Sequence, residues 1–179
     1  SFEQGYEAID GDSASLAELC AILSSLADAP IRQDLAMTGS VNQKGEVQPI
    51  GGQNQKIEGF HDVCKVVGMT GAQGVVMPSR NKRNLMLRPA VVESVQKGQF
   101  HIYAVDSVDQ AIEIMTGIPA GERQPDGSYP EGTINRRVDD RLREMGETMR
   151  RFGRKPKNGA TPEKPEGEEN EDEVKPPEA

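Results

Sequence analysis

Apolar positions along the chain switch between helical and strand spacing. From Ser13 to Ala27, Leu16, Leu19, Cys20, Leu23, Leu26 and Ala27 share one side of a helix. Asp34–Val41 and Glu46–Ile50 read as two strands around the turn Asn42-Gln43-Lys44-Gly45. Gly51-Gly52 breaks the second strand, and a helix follows from about Gln53 to Val67. Gly74–Met77 is a short buried strand, and Pro89–Lys97 is a helix with Pro at its start and Gly98 past its end. Phe100–Val105 is a strand. Ser107–Met115 is a helix with a Ser107/Gln110 capping box and Gly117 as its stop. Strand and helix alternation after residue 46 predicts an α/β (α+β) fold with at least partly parallel pairing, and the hairpin makes the sheet mixed.

Beyond Gly117 the pattern changes. Residues 118–133 form a Pro/Gly-rich linker. From Ile134 to Phe152, Ile134, Val138, Leu142, Met145, Met149 and Phe152 fall on one helical face, which needs a partner surface on this chain or on a neighbouring subunit. Residues 154–179 hold five of the twelve prolines and one sizeable apolar side chain, Val174. Such a segment cannot offset the entropy of ordering it, so it is expected to be a disordered acidic tail. The domain plan is therefore a folded body over 1–117, a linker, an amphipathic helix over 134–153 and the tail.

Charge sharpens that division. The net charge is −8, and residues 158–179 carry two lysines against eight carboxylates, leaving −2 for residues 1–157. A near-neutral body lacks the cationic stripe of a nucleic-acid binder. Arg80, Lys82, Arg83 and Arg88 form only a local patch without neighbouring aromatics, so nucleic acid is not an expected partner. No run is long and apolar enough to span a membrane. Two cysteines, Cys20 and Cys64, in apolar helical contexts suit core positions in a reducing, cytoplasmic compartment. Two histidines make a histidine-rich metal site a poor expectation. The chain opens on Ser rather than Met, without a charged-then-apolar leader, so it reads as a fragment or processed product.

Candidate chemistry begins at Gly11-Asp12-Ser13-Ala14-Ser15. Ser13 lies where an extended segment enters a helix, beside unpaired N–H groups and the positive end of the dipole. An oxyanion formed there is stabilised. The plainer alternative is that Asp12 or Ser13 caps the helix. A serine nucleophile needs a base. His101 sits in the alternating run Phe100-His101-Ile102-Tyr103, a strand rather than a loop position, and no histidine precedes Ser13. Lys56 remains, in the first turn after Gly51-Gly52. Lys56, Phe60, Val63 and Val67 fall on one helical face, which predicts an apolar surrounding for the amine. Desolvation and the positive helix end both favour the neutral amine that a general base must be. The alternative is a lysine that snorkels from the edge of that face. Thr38, on the preceding strand, offers a hydroxyl to hold the amine.

Taken together and in this order, these segments resemble the proteolytic domain of the Lon family of ATP-dependent proteases. The resemblance rests on Asp10-Gly11-Asp12-Ser13-Ala14, Thr38-Gly39, the run Gly45 to Gly52, Lys56 four residues later, and Pro78-x-x-Asn81. It covers about Ser1 to Gly117 and is closest to the branch that writes D-G-D-S-A-S. It implies a serine endopeptidase with a Ser13–Lys56 dyad, Thr38 orienting the lysine and Asp10 as an acidic residue beside the site. It also implies a hexameric ring with an ATPase module that feeds unfolded polypeptide to a secluded chamber. The chain has no G-x-x-x-x-G-K-[ST] run, so no ATP site and no other cofactor is expected on it. The family's further N-terminal strands are expected to be missing. A second possibility is therefore a truncated remnant that keeps the motifs and acts as an assembly or binding piece.

Overall fold

The computed structural model describes residues 11–153. Asp10 and the expected acidic tail lie outside the described residues. The elements run α1 (Ser15–Leu26), β1 (Leu35–Met37), β2 (Ser40–Val41), β3 (Val47–Gln48), α2 (Gln53–Val67), β4 (Gly74–Pro78), a 3-10 turn (Ser79–Asn84), α3 (Pro89–Gln96), β5 (His101–Val105), α4 (Val108–Thr116) and α5 (Ile134–Gly153). The mixed α/β architecture expected from the alternation is present. β1, β4 and β5 form a parallel sheet in the order β1-β4-β5, with Leu35 opposite Gly74 and Gly74 opposite His101. β2 and β3 pair antiparallel in a separate two-stranded sheet. Parallel and antiparallel pairing thus coexist, but in two sheets.

The central strand explains the layering. β4 is buried along its whole length, and its side chains alternate between two cores. Val76 packs with Leu16 and Cys20 of α1, Ala111, Ile112 and Met115 of α4, and Ile134 of α5. Val75 and Met77 pack on the opposite side with Ile57 and Cys64 of α2, Val91 of α3, and Phe100. At Gly74 a Cβ would stand 2.6 Å from the His101 carbonyl oxygen, so the strand needs glycine there.

The segment expected to be one strand from Asp34 to Val41 is broken at Thr38-Gly39. Thr38 N still donates to Val76 O, extending the β1–β4 ladder, but Gly39 turns away. Gly39 N donates to Ser13 O and Leu16 N donates to Gly39 O, at 2.9 and 3.1 Å. The break therefore exchanges sheet hydrogen bonds for a clamp on the turn before α1. The hairpin turn is as expected: the Asn42 side-chain oxygen accepts from Lys44 N and Glu46 N. Glu46 bridges Ser107, and Val47 N donates to Asp106 O, so the hairpin is fastened to the β5–α4 loop. The expected cap of α4 is also present, with Ser107 Oγ accepting from Gln110 N. Its reciprocal bond comes from Asp106 N to Gln110 Oε1 rather than from Ser107.

α5 does two things. Ile134 and Val138 are buried against the body, while Leu142, Met145, Met149 and Phe152 are exposed. Residues 118–133 carry no helix or strand yet are tied down: Ile134 N donates to Pro119 O and Asn135 N to Ala120 O.

Candidate active site

Ser13 precedes α1 on a turn that Ser15 N closes onto Asp12 O at 3.0 Å. Neither Asp12 nor Ser13 caps α1 with its side chain, so the capping alternative for these residues does not hold. The side-chain oxygens of Asp12 and Ser15 and the carbonyl of Ser13 are committed elsewhere. Ser40 Oγ donates to Asp12 Oδ2 at 2.6 Å, and Val41 N donates to Ser15 Oγ at 3.1 Å. Ser13 O accepts from Gly39 N at 2.9 Å and from Thr38 Oγ1 at 3.2 Å. The turn is therefore held on both sides by the Thr38–Val41 segment, and the Ser13 hydroxyl is the group left to point outward. The bonds of Asp12 and Ser15 escaped sequence reasoning, because a short-range reading offers no signal for contacts across more than 25 residues.

Lys56 comes from the opposite direction, in the first turn of α2. Gly52 takes a left-handed conformation, φ 66°, and Lys56 N donates to Gly52 O. The preceding Ile50 is gripped by the buried Asn81 side chain, which accepts from Ile50 N at 3.0 Å and donates to Ile50 O at 2.8 Å. That grip gives the Pro78-x-x-Asn81 motif a physical role: it fixes where the Gly51-Gly52 break delivers α2. The Lys56 amine then reaches Ser13 Oγ at 2.7 Å and Thr38 Oγ1 at 3.2 Å. Thr38 is 7% exposed, and its own proton is given to Ser13 O, so its lone pair faces the amine. Ser13, Lys56 and Thr38 meet at one point. They line a cavity of about 260 Å³ with Ala14, Ala17, Ala36, Met37 and Val75.

The face of α2 expected to surround Lys56 with apolar side chains is not turned inward. Lys56 is exposed, Val63 is 57% exposed and Val67 81%. The buried stripe of α2 is instead Gln53, Ile57, His61 and Cys64. Counting apolar side chains misplaced the helix face because two polar residues occupy the core stripe. His61 packs edge-on against Phe100 with ring centroids 5.2 Å apart, and its Nε2 lies 2.9 Å from Ser94 Oγ. The amine is held by two hydroxyls, beside a cavity whose remaining lining, Ala14, Ala17, Ala36, Met37 and Val75, is apolar.

Other candidates lie elsewhere. His101 is a strand residue whose Nε2 lies 2.8 Å from Gly71 O. Cys20 and Cys64 are buried free thiols, and burial pushes the Cys20 thiol up to about 12. Arg88, one of the four cations of the local patch, is drawn into ion pairs with Glu58 at 3.2 Å and Asp62 at 2.7 Å. No helix among the described residues is long and apolar enough to cross a membrane.

A family model for the Lon protease C-terminal proteolytic domain matches residues 2–117. The chain belongs to this Lon family. It is 50% identical over 118 residues to a putative Lon protease homolog of Escherichia coli K12, covering 66% of this chain and 20% of that protein. It is 40% identical over 150 residues to a putative Lon protease homolog of Haemophilus influenzae, covering 84% and 25%. An archaeal Lon protease of Thermococcus kodakarensis is 41% identical over 113 residues, 63% of this chain and 16% of that protein. The chain thus spans a quarter or less of the length of these Lon relatives. The family-model match covers the body and ends at Gly117, where α4 stops, whereas the 150-residue alignment with the Haemophilus influenzae relative extends beyond it.

Proposed function

We propose that this Lon-type proteolytic domain is a serine endopeptidase in which Ser13 is the nucleophile and Lys56 the general base. The carrying observation is the 2.7 Å approach of the Lys56 amine to Ser13 Oγ. Thr38 has one proton and gives it to Ser13 O, so towards Lys56 it can only accept. One amine N–H is thereby fixed, and in the neutral amine the lone pair is free to take the Ser13 proton.

As Ser13 Oγ bonds to the scissile carbonyl carbon, its proton passes to Lys56 and the carbonyl electrons move to oxygen. The oxyanion forms beside the N-terminal end of α1, where the helix dipole is positive. The intermediate collapses by breaking the C–N bond. Lys56 returns the proton to the leaving amine, and an acyl-Ser13 remains. Lys56 then takes a proton from a water as its oxygen bonds to the acyl carbon, and returns it to Ser13 Oγ as the ester C–O bond breaks and the acid leaves. A bound polypeptide segment that fills the cavity over Ala14, Ala17, Ala36 and Met37 excludes water from Ser13 and Lys56.

On the same reading the substrate is unfolded or damaged polypeptide, delivered in the cytoplasm by an ATPase module within a homo-oligomeric, hexameric ring. Casein cleavage by the full-length protein with Ser13→Ala or Lys56→Gln tests the dyad. Each variant should lose activity by about 10³-fold or more. Retained cleavage in either one removes the dyad.

A further inference from the structure

The outer half of α5 is a helix face without a partner among the described residues. Ile134 and Val138 dock it on the body; beyond them Leu142 is 51% exposed, Met145 48%, Met149 74% and Phe152 85%. Four large apolar side chains in one line are not a random scatter of surface residues. From Val138 onward they step by 4, 3, 4 and 3 residues. That spacing is a heptad seam, narrower than the stripe a helix turns towards a globular core. The side away from the seam is a charged surface already paired along the helix, with Arg136–Asp140 and Arg143–Asp139 bridges at 2.8 and 2.9 Å, and Arg141, beside the seam, is bridged to Glu144 at 2.8 Å.

We infer that this seam is covered by the same seam of a second copy of the chain, the two α5 helices running antiparallel. The interval is self-complementary in that direction. Centring the pair on Glu147 sets Leu142 against Phe152 of the second copy and Met145 against Met149, so each exposed seam residue meets another. Val138, already buried at home, stays outside the contact. The positions flanking the seam at its centre are Gly146 and Thr148, small and uncharged, which permits close approach. Antiparallel helices also oppose their dipoles. The two bodies fall at opposite ends of the helix pair, whereas a parallel pair would bring both to the same end.

Two further arguments favour a second copy over the chain's own C-terminal segment. Residues 154–179 contain one sizeable apolar side chain, Val174, and cannot cover four. The exposed seam offers roughly 500 Å² per copy, so a pair buries on the order of 1,000 Å², the lower bound for a specific interface. The contact is accordingly weak and depends on protein concentration. It does not rest on the hydrolytic reading of Ser13 and Lys56.

Sedimentation of the 179-residue chain between about 1 and 200 µM tests the interface, a range chosen for an interface at the lower size limit. A concentration-dependent shift to twice the chain mass is expected. Met149→Asp with Phe152→Asp, at exposed positions that leave the docked half of α5 intact, should abolish the shift. Val66→Asp, at an 88% exposed apolar position on α2, should leave it unchanged. Circular dichroism of the variants separates lost association from lost helix. Spin labels on Glu147→Cys and Asp140→Cys fix the direction. Antiparallel pairing brings the two copies of residue 147 level with each other and separates the two copies of residue 140 by about 21 Å along the helix axis. The inter-label distance should therefore be longer at 140 than at 147. A monomer across the whole range, association that survives the double aspartate variant, or equal distances at the two labels overturns the proposal.

Discussion

The two sides of the candidate site are built differently. Ser13 belongs to a turn whose backbone and neighbouring side chains are bonded to Thr38, Gly39, Ser40 and Val41. Lys56 sits on an exposed position of α2, and its amine is placed by two hydroxyl contacts at its far end. The nucleophile side is fixed by several hydrogen bonds to the Thr38–Val41 segment. The base side is fixed by where the Gly51-Gly52 break aims a helix and by one buried threonine. Thr38 is the hinge of the comparison, because it serves both sides at once.

Removing that shared hydroxyl should give the largest effect after loss of the dyad itself. Thr38→Val keeps the shape, but its γ-carbons offer Lys56 no acceptor and Ser13 O no donor. Peptidase kcat in the full-length protein should fall about 10–100-fold, the scale of a misplaced reacting group, with KM little changed. Thr38→Ser should restore most of it. Equal activity in Thr38→Val and wild type would break the link between the two sides.

Next in size is the delivery of α2. Asn81→Ala leaves Ile50 N and O without their partner and should cost about 1–3 kcal/mol of stability, read by urea unfolding. Activity should fall with it, because the base side depends on that anchor. The nucleophile side is tested by Asp12→Ala and Ser40→Ala. Each should cost about 0.5–1.5 kcal/mol, and the double variant should cost little more than either alone. Additive losses would show that the pair does not act as one contact.

The smallest effect concerns the start of the strand that leads to Thr38. Arg32 donates to both Asp34 oxygens, at 3.0 and 2.7 Å, and to Ala72 O. Hydrogen bonding from Arg32 holds the Asp34 carboxyl below its ordinary range. A lowered carboxylate stabilises the fold above its unfolded pKa of about 3.9 and loses that contribution as pH falls through the folded value. Both side chains are partly solvated, so Arg32→Gln should cost only a few tenths of a kcal/mol at pH 7. The difference from wild type should shrink as pH drops below about 4.

Much of this was legible along the chain. α2 runs from the Gly51-Gly52 break to Val67, α4 starts at its Ser107 cap, and Ser13, Thr38 and Lys56, which stand out in the sequence, are brought together by the fold. Three features were not. The facing of α2 was misjudged because Gln53 and His61 occupy core positions that an apolar count passes over. The break at Thr38-Gly39 arises from hydrogen bonds to a turn more than 20 residues upstream, which strand propensity cannot register. The Asp12–Ser40 contact joins two small polar residues that each read locally as ordinary turn or strand side chains. In the last two cases the deciding partner is distant in sequence.

The central claim is that Lys56 makes Ser13 reactive. Incubating the full-length protein with a fluorophosphonate and locating the adduct by peptide mass spectrometry tests it most directly. Labelling should fall on Ser13 and slow by about 10²-fold or more in a folded Lys56→Gln variant. Labelling at another serine, or an unchanged rate at Ser13 without the lysine, would contradict the account.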